Sequence, residues 1–399
     1  MPWRVLYLDH ADWMGGAEQS LLLLLQHLDP AQVEPLLVCT GGSPLEQAAR
    51  TAGVPVAEVP FGPLRGRRNP AALVGQLARG SASLVRLARS FRADCIHTNV
   101  ARASAYGALV ALRTGIPLVW HVRDVHDTRR PDEWLFVQGL ARLARGIVCA
   151  SGATARPLPR FAAPKVFRVP NGLDVPRFDP GRVRRQAVRD SWGVRPDQVL
   201  VGTVGWLAPW KQTEHFLQVA EQVTVPCPQA RFVVVGEAAS PRYAAHVARL
   251  KEWARERLGG RVQFVGPQED APGVMAALDI LVHTARAEPF GRVLLEAMAL
   301  ERPVVAYADG GVPEVVLHGE TGLLARPGDV AGLSQLVQHL IREPAERRRL
   351  GQAGRRRVLQ EFTAEAMARR MEQVYEAVLG ASEPLAGSES AKGSGDESG

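Results

Sequence analysis

The chain has 399 residues, of which 46% are hydrophobic and 22% charged, and its formal net charge is +7. That length is too great for one ordinary core and predicts two domains, while the composition excludes a disordered, collagen-like or coiled-coil chain. No apolar run reaches the roughly 18–20 residues of a membrane-spanning helix, and Asp9, His10 and Asp12 interrupt the first apolar segment, which argues against a signal peptide. Cys39, Cys95, Cys149 and Cys227 lie far apart with no metal-ligand or paired spacing. Buried reduced thiols are expected, in a cytoplasmic protein or one that rests on the inner face of the membrane. Only four of the 48 basic residues are lysines: Lys165, Lys211, Lys251 and Lys392. A basic body suits anionic partners such as a nucleotide, a phosphate-bearing substrate or acidic lipid.

In the first half, short apolar runs at 5–8, 35–39, 95–97, 118–122, 146–150 and 166–169 alternate with helix-period segments at 18–28, 77–91 and 103–112. Continuous apolar strands that alternate with helices predict a parallel sheet covered on both faces. The pattern restarts with strands at 199–204, 232–235, 262–265, 280–283 and 304–306, and with helices at 212–223 and 292–300. The expected fold is α/β, with two Rossmann-like doubly wound domains that face each other across a cleft. We read 1–175 as the first domain, 176–198 as a linker of low periodicity and 199–362 as the second domain. Residues 363–380 form a C-terminal helix expected to cross back to the first domain. The Gly/Ser/Glu-rich segment 381–399 has too little apolar surface to order itself. Ligands of such folds bind beyond the C-terminal ends of the strands, so residues just after strands carry the most information.

The segment 280–306 is the most informative of these. A strand at 280–283 runs through a loop into an expected helix over 290–300, with Pro289 suited to its start. Glu288 precedes the helix and Glu296 lies eight residues on, about 12 Å along a helix axis. That exceeds the roughly 5–9.5 Å of a glycosidase carboxylate pair and approaches the span from sugar to ribose in a nucleotide-sugar. Between them, the amides of Phe290, Gly291 and Arg292 at a helix N-terminus make a natural diphosphate cradle, and Gly291 lets the backbone approach closely.

The run Glu288-Pro-Phe-Gly-Arg-Val-Leu-Leu-Glu296 resembles the Glu-x7-Glu signature of retaining glycosyltransferases of family 4, which have the GT-B fold. Other segments agree with that family in order and spacing. They are Gly15-Gly-Ala-Glu18, Val169-Pro-Asn-Gly-Leu-Asp174, Lys211, Phe232-Val-Val-Val-Gly236, Val262-Gln-Phe-Val-Gly266 and Gly310-Gly-Val-Pro-Glu314. The resemblance covers roughly residues 4–375. It implies transfer of a sugar from a nucleoside diphosphate donor to a hydroxyl of a glycan or lipid-linked acceptor, as in cell-envelope or extracellular polysaccharide synthesis.

The same resemblance implies that Glu296 accepts hydrogen bonds from the donor's ribose and that Glu288 contacts the transferred sugar. It also implies that Lys211 neutralises the diphosphate, with Gly15 and Gly16 close to a phosphate and Gly236 and Pro267 at the pocket for the base. The family's sugar-contacting histidine aligns with Arg123, and His121 lies two residues earlier, so both are expected to line the cleft, with a structural His121 as the alternative. Where the family has an arginine five residues before the lysine, this chain has Trp206. Arg292 is one replacement for that clamp, and a tryptophan packed on sugar or base is another. Trp206 also keeps open a non-catalytic nucleotide-sugar binder, and the two-domain fold keeps open an epimerase.

No two aspartates are separated by one residue, so metal-independent transfer without a cofactor is expected. No Walker motif or intact dinucleotide fingerprint is present, and no nucleic-acid-binding module accompanies the basic charge. Arg65, Arg67, Arg68, Arg79, Arg86, Arg89 and Arg92 around Leu77, Leu84, Leu87 and Phe91 make a basic amphipathic stretch. It fits either peripheral contact with an anionic membrane or a core-facing helix with a solvated arginine face.

Overall fold

The computed structural model describes residues 1–62 and 70–380, with the backbone alone for 70–78. A first parallel sheet holds β1 (Trp3–Leu8), β2 (Val33–Cys39), β3 (Val56–Glu58), β4 (Cys95–Thr98), β5 (Leu118–Val122), β6 (Gly146–Cys149) and β7 (Val166–Arg168), in the order 3-2-1-4-5-6-7. A second holds β8 (Val199–Val204), β9 (Ala230–Val235), β10 (Val262–Gly266), β11 (Ile280–His283), β12 (Val304–Tyr307) and β13 (Gly322–Ala325), in the order 10-9-8-11-12-13. Each order reverses next to its first strand, between β1 and β4 and between β8 and β11. Those reversals leave two crevices at the strand C-termini. Nearly every residue of β1, β4, β5 and β6 and all of β11 and β12 is buried, because helices cover both faces. Among the described residues no helix is long and apolar enough to cross a membrane.

Residues 176–198 are not a free linker. Helix Arg185–Ser191 packs on helix Ala271–Ala277, and Phe178 and Val194 belong to the second domain's core. Buried Arg189 fixes the segment by pairing with Asp279 at 2.9 Å and donating to the carbonyls of Ala277 and Gln198. Polar and proline-rich sequence hid a segment held by Arg185 and Arg189 on Asp279 and by scattered apolar residues rather than by a periodic apolar face. The short strands β3 and β13 were not read at all.

Helix Ala364–Leu379 packs against helix Gly16–His27, and its Met367, Met371, Val374 and Tyr375 enter the first domain's core. The chain crosses back where Leu173 bridges Thr363, and Gly172 is needed there because a Cβ would press on the Thr363 carbonyl.

Of the basic stretch, Arg65, Arg67, Arg68 and the Leu77 side chain lie outside the described residues, as does 381–399. In helix Pro70–Phe91 the described arginines Arg79, Arg86 and Arg89 face solvent while Leu84 and Ala88 are buried, which is the core-facing arrangement.

Candidate active site

A cleft of about 1240 Å³ runs between the domains, and the loops after β1, β5, β8, β9, β10 and β11 line it. On the second domain's wall, two loops are zipped together. Thr284 Oγ donates to the carbonyls of Lys211 (2.8 Å) and Gln212 (3.0 Å), and the Arg286 amide donates to the Trp210 carbonyl. Gln212 and Ala287, immediately beside Lys211 and Glu288, both adopt left-handed φ of 49°. Non-glycine residues reach that region at a cost, so the surrounding bonds hold both functional side chains in aim.

The result is a preassembled ion pair. Lys211 Nζ lies 2.6 Å from Glu288 Oε2, and His283 Nε2 lies 3.2 Å from the same oxygen. Burial opposes ionisation of Glu288, but the lysine and histidine outweigh it and hold the carboxyl well below the usual carboxylate range. Gly310 and Gly311 shape the loop from behind. A Cβ at Gly310 would collide with the Glu288 backbone, and the Gly311 amide donates to the Glu288 carbonyl at 2.7 Å. From the first domain, Ser151 Oγ donates to the Pro289 carbonyl at 2.5 Å. Glu314 accepts from the Gly152 amide and pairs with Arg168, clasping the two domains beside the site.

The helix after Glu288 starts later than its sequence suggests. It spans Arg292–Ala299, and its N-cap Gly291 has φ +90°. Pro289 therefore lies in the loop rather than in the first turn, and a straight-helix spacing between Glu288 and Glu296 does not apply. Phe290, Gly291 and Arg292 still line the cleft at the start of this helix, where first-turn amides lack the carbonyl acceptors of a helix interior, although the Leu294 amide donates to the Gly291 carbonyl at 3.0 Å. Burial raises Glu296 above the ordinary carboxylate range, with Arg292 and Arg177 pulling it back. Arg292 Nε and Nη1 are buried without partners, and its Cδ lies against Gly16 of the first domain. Gly16 thus leaves room for a side chain from the opposite wall.

Where β9 and β10 end at the cleft, Gly236 (φ +132°) sits so close to Gly205 that a Cβ would strike the Gly205 carbonyl oxygen. Its amide donates to the Gly266 carbonyl at 2.9 Å, and Trp206, Pro267 and Gln268 line the cleft beside it.

On the first domain's wall, Arg123 lines the cleft but His121 does not. His121 is 2% exposed and belongs to a buried chain. Its Nδ1 meets His97 Nε2 at 3.1 Å, His97 Nδ1 meets the Tyr375 hydroxyl at 2.8 Å, and that hydroxyl meets Tyr7 at 2.6 Å. Burial keeps both histidines neutral by pushing their pKa values down. The expectation that His121 lines the cleft is corrected: it is part of the seat of the C-terminal helix. His10 and His126 are the histidines that line this wall. Glu18 caps its own helix by accepting from the Gly15 amide at 2.9 Å, and burial beside Asp9 raises its pKa to about 7. Asn99, Asn171, Ser20 and His283 escaped the sequence reading as functional groups, although Asn171 lies within the Val169–Asp174 motif.

Two doubly wound domains that face each other, with a lysine–carboxylate pair and a helix N-terminus in the cleft, define a GT-B glycosyltransferase. Residues 14–177 match the family described as "Glycosyltransferase Family 4" and residues 184–357 the family described as "Glycosyl transferases group 1". The chain belongs to this family. It is 29% identical over 364 residues to a GDP-mannose-dependent alpha-mannosyltransferase of Mycobacterium tuberculosis, covering 87% of this chain and 89% of that protein. It is 32% identical to the lipopolysaccharide core biosynthesis mannosyltransferase LpsB of Rhizobium meliloti, covering 60% of this chain and 68% of that one. Anabaena HepE, solved in complex with UDP and glucose, superposes with a TM-score of 0.83 at 25% identity, over 94% of this chain and all of HepE.

Proposed function

We propose that the protein is a retaining hexosyltransferase. It takes a sugar from a nucleoside diphosphate donor to a hydroxyl of a glycan or lipid-linked acceptor in cell-envelope or extracellular polysaccharide synthesis, at the cytoplasmic face of the membrane. The observation that carries this reading is the Lys211–Glu288 pair beside the open N-terminus of helix Arg292–Ala299. Relatives named for GDP-mannose and a structural neighbour holding UDP support a nucleotide-sugar donor.

In this reading the donor's diphosphate lies against the first-turn amides, with Lys211 and Arg292 meeting its charge and no metal taking part. Arg292 then supplies the guanidinium that Trp206 cannot, and Trp206 packs beside the base or sugar. Glu296 accepts from the ribose hydroxyls, and Glu288 faces the transferred sugar. The bond from the anomeric carbon to the phosphate oxygen breaks as the acceptor oxygen bonds to the same face. The acceptor's proton passes to the departing phosphate oxygen. Lys211 stabilises the charge that grows on that oxygen, which is where a fixed cation accelerates the step.

A thermal-shift panel of nucleoside diphosphates and their sugars tests the donor reading, because a ligand of the native state raises the melting temperature by mass action. One donor should give a clear shift that Glu296→Ala abolishes. A panel with no shift would defeat the reading. Turnover of the donor's configuration without any acceptor would favour the epimerase instead.

A further inference from the structure

Arg123 is held differently from Lys211 on the opposite wall. Its Nε donates to Asn99 Oδ1 at 2.7 Å, and Nη1 donates to Asn171 Oδ1 at 2.7 Å and to Ser20 Oγ at 3.3 Å. All three acceptors are neutral. Glu18, Asp9 and Asp124 lie close enough to act on it, but none forms an ion pair with it: Asp9 accepts from Asn99 Nδ2 at 2.6 Å, and Glu18 caps its helix. Nη2 is buried and has no partner. Burial lowers Arg123 to about 10, which leaves it a cation at neutral pH. Across the cleft, Arg292 adds charge of the same sign, and its Nε and Nη1 are also unpartnered. Orienting a guanidinium with neutral acceptors, and leaving one of its nitrogens free, builds a fork with no carboxylate bonded to it. A buried charged group with an unpartnered nitrogen is costly, and an anion bonded to it removes that cost.

We propose that Arg123 is the receptor for a second anion, additional to the donor's diphosphate. That anion is a carboxylate or phosphomonoester carried by the transferred sugar or by the acceptor. The assignment rests on the cleft being a nucleotide-sugar site, with Lys211 and the helix amides of the opposite wall taking the diphosphate. A neutral sugar hydroxyl would use one hydrogen bond from Nη2 but would leave the charge unmatched. The guanidinium selects an anionic substrate over its neutral analogue.

The test is a calorimetric titration of the full chain with inorganic phosphate, alone and with saturating UDP or GDP, at constant ionic strength. Phosphate should bind in both conditions and lose at least tenfold affinity in Arg123→Met, with Arg123→Lys in between. Two paired comparisons identify the source: UDP-glucuronate against UDP-glucose for the donor (or GDP-mannuronate against GDP-mannose), and glucose 6-phosphate against glucose, with nucleotide present, for the acceptor. The anionic member of one pair should bind at least tenfold tighter. Loss, with nucleotide bound, of the phosphate binding that Arg123→Met weakens would place Arg123 in the diphosphate site and overturn the proposal. Equal affinity within both pairs, or wild-type phosphate affinity in Arg123→Met, would also overturn it. The wild-type titrations need no variant to fold. Phosphate binding that depends on Arg123, in a protein that ignores every nucleotide, would instead sink the donor reading and leave the anion receptor standing.

Discussion

On the second domain's wall Lys211 reaches the cleft already paired with Glu288, whereas on the first domain's wall Arg123 is steered by the amide oxygens of Asn99 and Asn171. The two cations therefore meet a ligand on different terms. On the proposed mechanism, Lys211 must share or exchange a carboxylate before it can serve a phosphate, so its pairing tempers ground-state affinity. It leaves the lysine's full effect for charge that appears as the bond breaks. Arg123 has no carboxylate to give up, so its contribution falls on binding and selection. Like charges in one cleft can thus be divided between rate and specificity by what holds them when the site is empty.

Breaking the first half of that contrast should have the largest effect. Lys211→Ala removes the cation at the leaving group and should lower the rate of nucleoside diphosphate release from saturating donor on the order of 10²–10³-fold. A rate within threefold of wild type would show that the lysine is not at the developing charge. Glu288→Gln sharpens the same contrast. It should lower that rate by at least tenfold while tightening nucleoside diphosphate several-fold, since Lys211 no longer surrenders a carboxylate. Calorimetry that finds weaker binding would mean that the pair positions the lysine rather than competing for it.

The smallest expected effect is on stability. Glu18 has a folded pKa of about 7, above its ordinary value, so the unfolded chain loses this proton first as pH rises. The folded state then binds more protons than the unfolded one between about pH 4.5 and 7, and stability falls as pH rises through that window. Glu18→Gln should flatten this part of the melting-temperature profile. An unchanged slope would show that Glu18 ionises normally in the fold.

Much of the second wall was legible because its chemistry is consecutive in the chain. Glu288, Gly291, Arg292 and Glu296 lie on one loop and one helix, and Lys211 follows a strand that periodicity alone reveals. The first wall was harder to read, because Arg123 depends on Ser20, Asn99 and Asn171, brought together from three distant segments. His121 shows the limit most directly. In a parallel sheet covered on both faces, alternation cannot tell which side of a strand looks into a cleft and which lies under a helix. The covering helix here comes from more than 240 residues further along. The late start of the helix after Glu288 follows from Gly291 adopting a left-handed conformation, which proline statistics do not anticipate.

That same covering helix constrains how the protein is made. Residues of Ala364–Leu379 complete the core of a sheet whose last strand ends at Arg168. A ribosome adding about 5–20 residues per second needs roughly 10–40 s to cross the interval. Throughout it, the apolar surface that Met371 and Tyr375 later cover stays open on the nascent first domain. The first domain to be translated is therefore the last to be finished, and premature termination anywhere in the second domain leaves both incomplete.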